Sequence, residues 1–184
     1  MSTTTQNSIQ STLKTFYDAN WKFEDFLTED DVRCRLFESL HKSLKDYQDV
    51  SVHSEIRWYG ENHKLKYRSD IVIIDNNGLR TCHSDVASQN EIFLIDSKGY
   101  CFKEYYTIIE IKLRRPNNKN SDLMYEETYI KKDISKLREI KETIGGLEMN
   151  KKYFVLVFDK KNRRKSLIDI DNSQNIDWDN WESQ

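Results

Sequence analysis

Several hallmarks of well-known protein classes are missing from this sequence. Its three cysteines, Cys34, Cys82 and Cys101, lack the paired spacing of a zinc knuckle or a disulfide framework, and an odd number of them is typical of a reducing compartment. No apolar run approaches the length that spans a membrane, and the N-terminus lacks the basic-then-apolar pattern of a secretory signal. We therefore expect an intracellular, cytoplasmic protein with no membrane partner.

Motifs of common enzyme classes are missing too. The sequence contains no glycine-rich phosphate loop, which argues against the binding of nucleoside triphosphates. It contains no Gly-x-Ser-x-Gly elbow of a serine hydrolase. The four histidines do not have the spacing of metal ligands.

The composition is that of a folded but polar chain. Charged residues make up 33% of the sequence, but 12% of it is aromatic, which is too much for a disordered chain. The length of 184 residues suits one domain with a sizeable core and is short for two. We predict a single domain over residues 1–184, with an N-terminal helical segment over about residues 1–27 and a polar, acidic tail over about residues 166–184.

Charge is distributed unevenly along the chain. The net charge is only −2, but residues 101–165 carry 17 lysines and arginines against 10 acids, whereas residues 166–184 carry five acids and no lysine or arginine. A basic second half could form a positive face that attracts phosphate backbones. Ordinary solvated helix charge explains the same counts.

Hydrophobic periodicity predicts the main helices and strands. Thr28 followed by three acids is typical of a capped helix start, and Val32, Leu36, Leu40 and Leu44 then form one apolar face. Helices are predicted over residues 7–20, 28–47 and 129–144, and strands over residues 50–59, 67–75, 92–95, 102–113 and 152–159. This order predicts an α/β fold, a central mixed sheet flanked by helices.

Two of these strands carry side chains that suit phosphodiester hydrolysis. Asp70 begins the apolar strand at 71–74, and Glu110 and Lys112 flank Ile111 on the later strand. Residues two apart on a strand share a face, so Glu110 and Lys112 point the same way, and Asp70 faces Glu110 if the strands pair. Two carboxylates, with the Ile111 carbonyl as a further ligand, could hold Mg²⁺, and the ammonium could stabilise charge or position water. Alternatively, Asp70 is a strand-end cap and the other two are surface residues.

These residues resemble a known family. Ser69-Asp70, a spacer of 39 residues and Glu110-Ile111-Lys112 are similar to the pattern of the PD-(D/E)XK, or restriction-endonuclease-like, nuclease superfamily. The resemblance implies a restriction-endonuclease-like core and a Mg²⁺-dependent phosphodiesterase, with Mn²⁺ as a substitute. It implies that Asp70 and Glu110 hold the metal and that Lys112 assists the nucleophile. The proline that often precedes the aspartate is replaced by Ser69.

A third acid could complete the site. Similar folds supply one from the first core helix, where Glu29 and Glu38 are the candidates, and we predict Glu29 as a catalytic residue and metal ligand. An acid in the first turn is also favoured simply by the helix dipole. Glu55 is a further candidate, because it shares a strand face with His53 and Arg57, opposite Val52, Ile56 and Trp58. That face could equally face water.

Four cations are predicted to contact nucleic acid. Arg114 and Arg115 directly follow the Glu-x-Lys strand, and Lys132 and Lys136 lie one turn apart on a helix that in similar nucleases often sends a lysine to the site. Solvated lysines paired with neighbouring acids are the alternative for that helix. The basic turn at 160–165 could grip nucleic acid or form a solvated hairpin.

The resemblance leads us to expect an endonuclease that acts on DNA in preference to RNA, in defence or repair. The alternative is a nucleic-acid-binding or assembly subunit with the same fold and no cleavage activity. A single domain has little room for a recognition module, so a homodimer or a partner protein would supply targeting. This last expectation is an analogy with the family.

Overall fold

The computed structural model describes residues 3–59, 65–78, 80–81, 94–95, 100–101, 105–144, 151–172 and 175–181. Its α-helices are α1 (Thr3–Asp18), α2 (Glu29–Leu44), α3 (Asp122–Tyr125) and α4 (Lys131–Ile144), with 3-10 turns at Phe23–Asp25 and Asn76–Gly78. A π-helical turn, Glu126–Ile130, joins α3 to α4. Within these ranges, no helix is long and apolar enough to cross a membrane.

A six-stranded mixed sheet forms the centre of the molecule, as the sequence predicted. Its strands lie in the order β1 (Val50–Tyr59), β2 (Leu65–Asp75), β6 (Tyr105–Arg114), β7 (Lys152–Asp159), β8 (Arg164–Asp169) and β9 (Asp179–Asn180). Only β6 and β7 are parallel among these strands, and the helical segment at 122–144 connects them. The short strands β3 (Arg80–Thr81), β4 (Leu94–Ile95) and β5 (Tyr100–Cys101) form a second sheet in the order β3-β5-β4.

Both faces of the large sheet are covered, which makes the fold α/β with helices on both sides. The first core joins α1 and α2 to one face, where Ile71, Ile109 and Ile111 are fully buried. The second core joins α4 to the other face, where Val72, Ile108 and others pack against Leu137. Because β6 is buried on both faces, any charged side chain on it must find partners inside the molecule.

The helix after β6 begins earlier than predicted. The predicted start was residue 129, but the Ser121 hydroxyl accepts a hydrogen bond from the Met124 amide at 3.2 Å and caps a helical segment that starts at Asp122. The π-helical turn, which the apolar periodicity does not show, separates this start from α4. The sequence also predicts that Gly145-Gly146 ends this helix and that turns lie at 60–62 and 96–99, and these positions lie outside the described residues. A loop predicted at 79–90 is wrong at Arg80–Thr81, which form a short strand, and the rest of it lies outside the described residues.

The described C-terminal residues belong to the large sheet and to the first core. Strand β8 pairs with β7, and β9 pairs with β8. Trp181 is 3% exposed in the first core, and its indole N–H donates to the Trp21 carbonyl at 2.8 Å. The sequence does not predict this apolar contact, because acids surround the tryptophan.

Strand β1 changes face in its middle, which corrects the predicted alternation. Val52 lies in the first core, whereas Ile56 and Trp58 lie in the second. Regular alternation would place all three on one face. Glu55 lies between them with φ 57°, a left-handed backbone conformation that is uncommon for a residue other than glycine. This conformation rotates the strand, and it does so directly opposite Asp70, since Ser54 pairs with Ile71 and Ile56 with Ser69.

Candidate active site

The candidate site lies where β2 and β6 separate. The two strands pair from Ile74 and Tyr105 as far as Ile71 and Ile109. Asp70 and Glu110 are the next residues beyond this ladder, which confirms that the two strands bring these carboxylates together. Because β6 continues alone to Arg114 on this side, its amides at 111 and 113 need other acceptors.

Asp70 supplies one of those acceptors. Its Oδ2 accepts the Ile111 amide at 2.7 Å, so the carboxylate takes the place of a strand partner. Its Oδ1 lies 3.6 Å from a guanidinium nitrogen of Arg33, and the side chain is 21% exposed. The Ile111 amide therefore holds one Asp70 oxygen, and the other oxygen lies near Arg33 at the end of the β2–β6 ladder.

Glu110 is the most buried carboxylate of the site. The residue is 2% exposed, and Oε2 accepts a hydrogen bond from Lys136 Nζ at 2.5 Å. Its second oxygen, Oε1, is buried and has no hydrogen-bond partner among the described residues. Burial raises the pKa of Glu110 to about 8, with Lys136 opposing the rise and Asp70 and Asp133 adding to it. A buried carboxylate oxygen without a partner is the feature expected of a group that binds a further ligand.

Lys112 lies among three acceptors. Its ammonium is 2.9 Å from Asp133 Oδ2, 3.2 Å from the Ile111 carbonyl and 3.9 Å from Glu29 Oε2. Burial alone would lower the pKa of Lys112, but the charges of Asp133 and Glu29 outweigh burial and raise it. The raised pKa favours the charged ammonium at neutral pH, which suits a cation that stabilises charge.

The start of α2 places Glu29 at the site. Thr28 and Asp31 form a capping box, in which the Thr28 hydroxyl accepts the Asp31 amide at 3.2 Å and the Asp31 carboxylate accepts the Thr28 amide at 2.8 Å. Glu29 Oε1 then accepts the Leu113 amide at 3.3 Å, the second amide that β2 leaves unpaired. Burial raises the pKa of Glu29, and Lys112 opposes this rise. Glu29 therefore lies beside Lys112.

Helix α4 supplies two further site residues, Asp133 and Lys136. Asp133 is 8% exposed, and its Oδ1 lies 3.5 Å from Lys136 Nζ while its Oδ2 contacts Lys112. Lys136 was predicted to reach nucleic acid, but its described contacts are with Glu110, Asp133 and the Arg68 carbonyl. Asp133 was missed, although a signal existed: an acid stands within the apolar stripe of Ile130 and Leu137.

Glu55 joins the site from β1. Its two carboxylate oxygens pair with different arginines, Oε1 with Arg33 and Oε2 with Arg68 at 3.0 Å. Arg33 also contacts Asp30 at 2.5 Å. The left-handed backbone at Glu55 explains why its carboxylate faces α2. Neither arginine was singled out from the sequence.

Of the remaining predicted residues, two form ion pairs outside this cluster and two are exposed. Arg114 is fully buried, and its guanidinium pairs with Asp122 at 2.7 Å and Asp159 at 3.2 Å. The predicted phosphate contact is therefore wrong for this residue. Arg115 and Lys132 are exposed. Glu38 is exposed and pairs with Lys42 one turn away, so the alternative third acid does not reach the site.

Only part of the predicted ligand set is arranged to hold a small hard cation. Among the described residues, no three His, Cys, Asp or Glu side chains are arranged to hold a metal ion, so Glu29 does not join Asp70 and Glu110 in a ligand group. Asp70, Glu110 and the Ile111 carbonyl remain as oxygen donors. Two carboxylates suffice for Mg²⁺, which keeps several of its waters, and the unpartnered Glu110 oxygen fits such an ion.

Comparisons with known proteins add little. No protein-family model matches the chain, and no curated protein matches it. Among solved structures, it is similar to a "putative nuclease belonging to DUF820" from Anabaena variabilis, at 15% identity and a TM-score of 0.37, over 97% of this chain and 68% of the other. A likeness of this size does not establish a shared activity, so the residues of the site carry the functional argument.

Proposed function

We propose that this protein is a divalent-metal-dependent nuclease that hydrolyses phosphodiester bonds. The observation that carries the proposal is the meeting of Asp70, Glu110 and Lys112 where β2 and β6 separate, with one Glu110 oxygen buried and without a hydrogen-bond partner in the described part of the chain. The pattern of these residues resembles the PD-(D/E)XK nucleases.

In this proposal, Asp70, Glu110 and the Ile111 carbonyl hold Mg²⁺, for which Mn²⁺ can substitute. A bound Mg²⁺ would supply Lewis-acid stabilisation of the phosphate and a more acidic water. Lys112 donates hydrogen bonds to the phosphate or to the attacking water, since its raised pKa keeps it charged. Glu29 and Asp133 hold the Lys112 ammonium in place, and Lys136 keeps the Glu110 carboxylate oriented.

We propose DNA as the substrate in preference to RNA, and internal cleavage in preference to cleavage from an end. Both choices rest on the resemblance to the PD-(D/E)XK pattern. A second chain or a partner protein would supply target selection, because one domain of this size offers little surface for it.

The decisive experiment offers single- and double-stranded DNA and RNA, in circular and linear form, to the purified protein with Mg²⁺, Mn²⁺, Ca²⁺ or EDTA. Cleavage of circular DNA with Mg²⁺ and its loss in Asp70→Asn and Lys112→Ala are expected. Wild-type rates from folded Lys112→Ala would refute the mechanism. Nucleic-acid binding without cleavage in every metal would favour the alternative, a binding or assembly subunit.

A further inference from the structure

We propose that Arg33 binds a phosphate group of the substrate beside the candidate active site and that Glu55 is the positioning residue that holds it there. The inference rests on the proposed function and deepens it, because it assigns the contact that seats the phosphodiester backbone next to Asp70. The chemistry recognised is a phosphodiester anion, which DNA and RNA share.

Arg33 lies beside Asp70. Its guanidinium lies 3.6 Å from Asp70 Oδ1, so a phosphate that meets Asp70 and Glu110 through a cation would come within reach of it. The side chain is 20% exposed, and it approaches from α2, on the open side of the β2–β6 ladder. Arginine presents five N–H donors in a planar fork that matches two phosphate oxygens.

The two lysines of the site have their contacts inside the protein. Lys112 contacts Asp133, Glu29 and the Ile111 carbonyl, and Lys136 contacts Glu110 and the Arg68 carbonyl. Arg33 differs from both lysines because one of its partners, Asp30, has a side chain that is 70% exposed. An ion pair with such an exposed carboxylate is weak, so a phosphate can replace it without leaving a charge buried.

The backbone conformation of Glu55 brings its carboxylate to Arg33. A left-handed backbone is unfavourable for a residue with a side chain, and strand β1 adopts it at Glu55. The result is that the carboxylate faces α2 and pairs with both Arg33 and Arg68. Glu55 thereby fixes the guanidinium plane, which a phosphate contact through two donors requires.

The test measures binding without cleavage. Fluorescence anisotropy in Ca²⁺ would follow short fluorescein-labelled DNA and RNA duplexes over a series of salt concentrations. Arg33→Ala is expected to weaken binding at least about tenfold and to reduce the slope of log K against log salt by about 0.9 on DNA. Arg57→Ala is the matched control, because Arg57 is an exposed arginine on the same strand as Glu55, and both quantities should stay at wild-type values.

Glu55→Gln separates positioning from charge. Loss of a negative charge alone would strengthen phosphate binding, whereas loss of positioning weakens it, so we expect weaker binding. The double variant Arg33→Ala/Glu55→Gln should bind no more weakly than Arg33→Ala, because Glu55 acts through Arg33. Thermal denaturation checks that each variant is folded. Should Arg33→Ala not fold, Arg33→Lys should bind more weakly than wild type with an unchanged salt slope, since it keeps the charge and loses the fork.

The outcomes distinguish this inference from the proposed function. Binding by Arg33→Ala equal to that of Arg57→Ala would overturn it, as would a wild type that binds neither duplex. A wild type that binds through Arg33 but cleaves nothing with Mg²⁺ or Mn²⁺ would refute the nuclease and leave the Arg33 assignment standing. The duplex that shows the dependence on Arg33 identifies DNA or RNA as the source of the phosphate.

Discussion

The Asp70 carboxylate accepts the backbone N–H of Ile111 at 2.7 Å, at the first residue beyond the β2–β6 ladder. One side chain thus satisfies the backbone at a strand separation and presents a charged oxygen to the space that the separation opens. The hydrogen bond and the charge can be tested separately.

Asp70→Asn and Asp70→Leu should differ in stability but not in activity. Asparagine keeps an oxygen that accepts the Ile111 amide, whereas leucine leaves that amide without its partner, which costs roughly 1–3 kcal/mol. Both remove the charge proposed to bind metal, so both should lose Mn²⁺ binding in calorimetry and cleavage of DNA. Chemical denaturation gives the difference in stability. Equal stability of the two variants would show that the hydrogen bond contributes little.

The sequence was sufficient to predict this pairing but not its surroundings. Asp70 and Glu110 meet because two apolar strands must both be buried, and the apolar runs at residues 71–74 and 105–111 indicate that requirement. Glu55 was misjudged because a left-handed residue inside a strand leaves no trace in hydrophobic periodicity. The C-terminal strands were missed because Trp181 provides one apolar contact among acids, and pairing at the sheet edge depends on residues far away in sequence.

Lys112→Met should lose activity and some stability. A second substitution, at Asp133, should restore the stability but not the activity. The substitution removes the nearer ammonium from Asp133, which is 8% exposed and keeps the Lys136 ammonium at 3.5 Å, and this loss costs roughly 1–3 kcal/mol. Lys112→Met/Asp133→Asn replaces that acid with a neutral group and should recover most of this loss. Cleavage should stay about 10²–10³-fold below wild type. Recovery of cleavage in the double variant would mean that Lys112 serves only to neutralise Asp133.

Arg114 and Arg115 are neighbours with opposite expected effects. Arg114→Met removes one of the two arginines that pair with the buried Asp159, the other being Arg164, and should destabilise the fold by about 1–3 kcal/mol. Arg115 is exposed, so Arg115→Ala should change stability by no more than about 0.5 kcal/mol. If Arg115 contacts phosphate, its loss should lower the salt slope of DNA binding by about 1. Urea denaturation and salt-dependent anisotropy test the two effects, and an unchanged slope would remove Arg115 from the nucleic-acid surface.

The burial of Glu110 predicts how stability depends on pH in the absence of metal. The pKa of Glu110 rises from 4.5 to about 8 in the folded protein, so between these values the folded state holds a proton that the unfolded state has released. The free energy of unfolding therefore falls as pH rises through this window, by up to about 1.4 kcal/mol per pH unit.

The glutamine in Glu110→Gln is uncharged at every pH, like the protonated glutamic acid. The free energy of unfolding of this variant should therefore not show the fall between pH 4.5 and 8. In EDTA, the two proteins should have similar stability near pH 4.5, and the variant should be the more stable above pH 8. Glu38→Gln is the control, because Glu38 is exposed and paired on the surface of α2, and it should keep the wild-type dependence. Urea denaturation at several pH values gives the curves. Parallel curves for wild type and Glu110→Gln would show that Glu110 is already ionised below neutral pH, held so by the Lys136 ammonium at 2.5 Å.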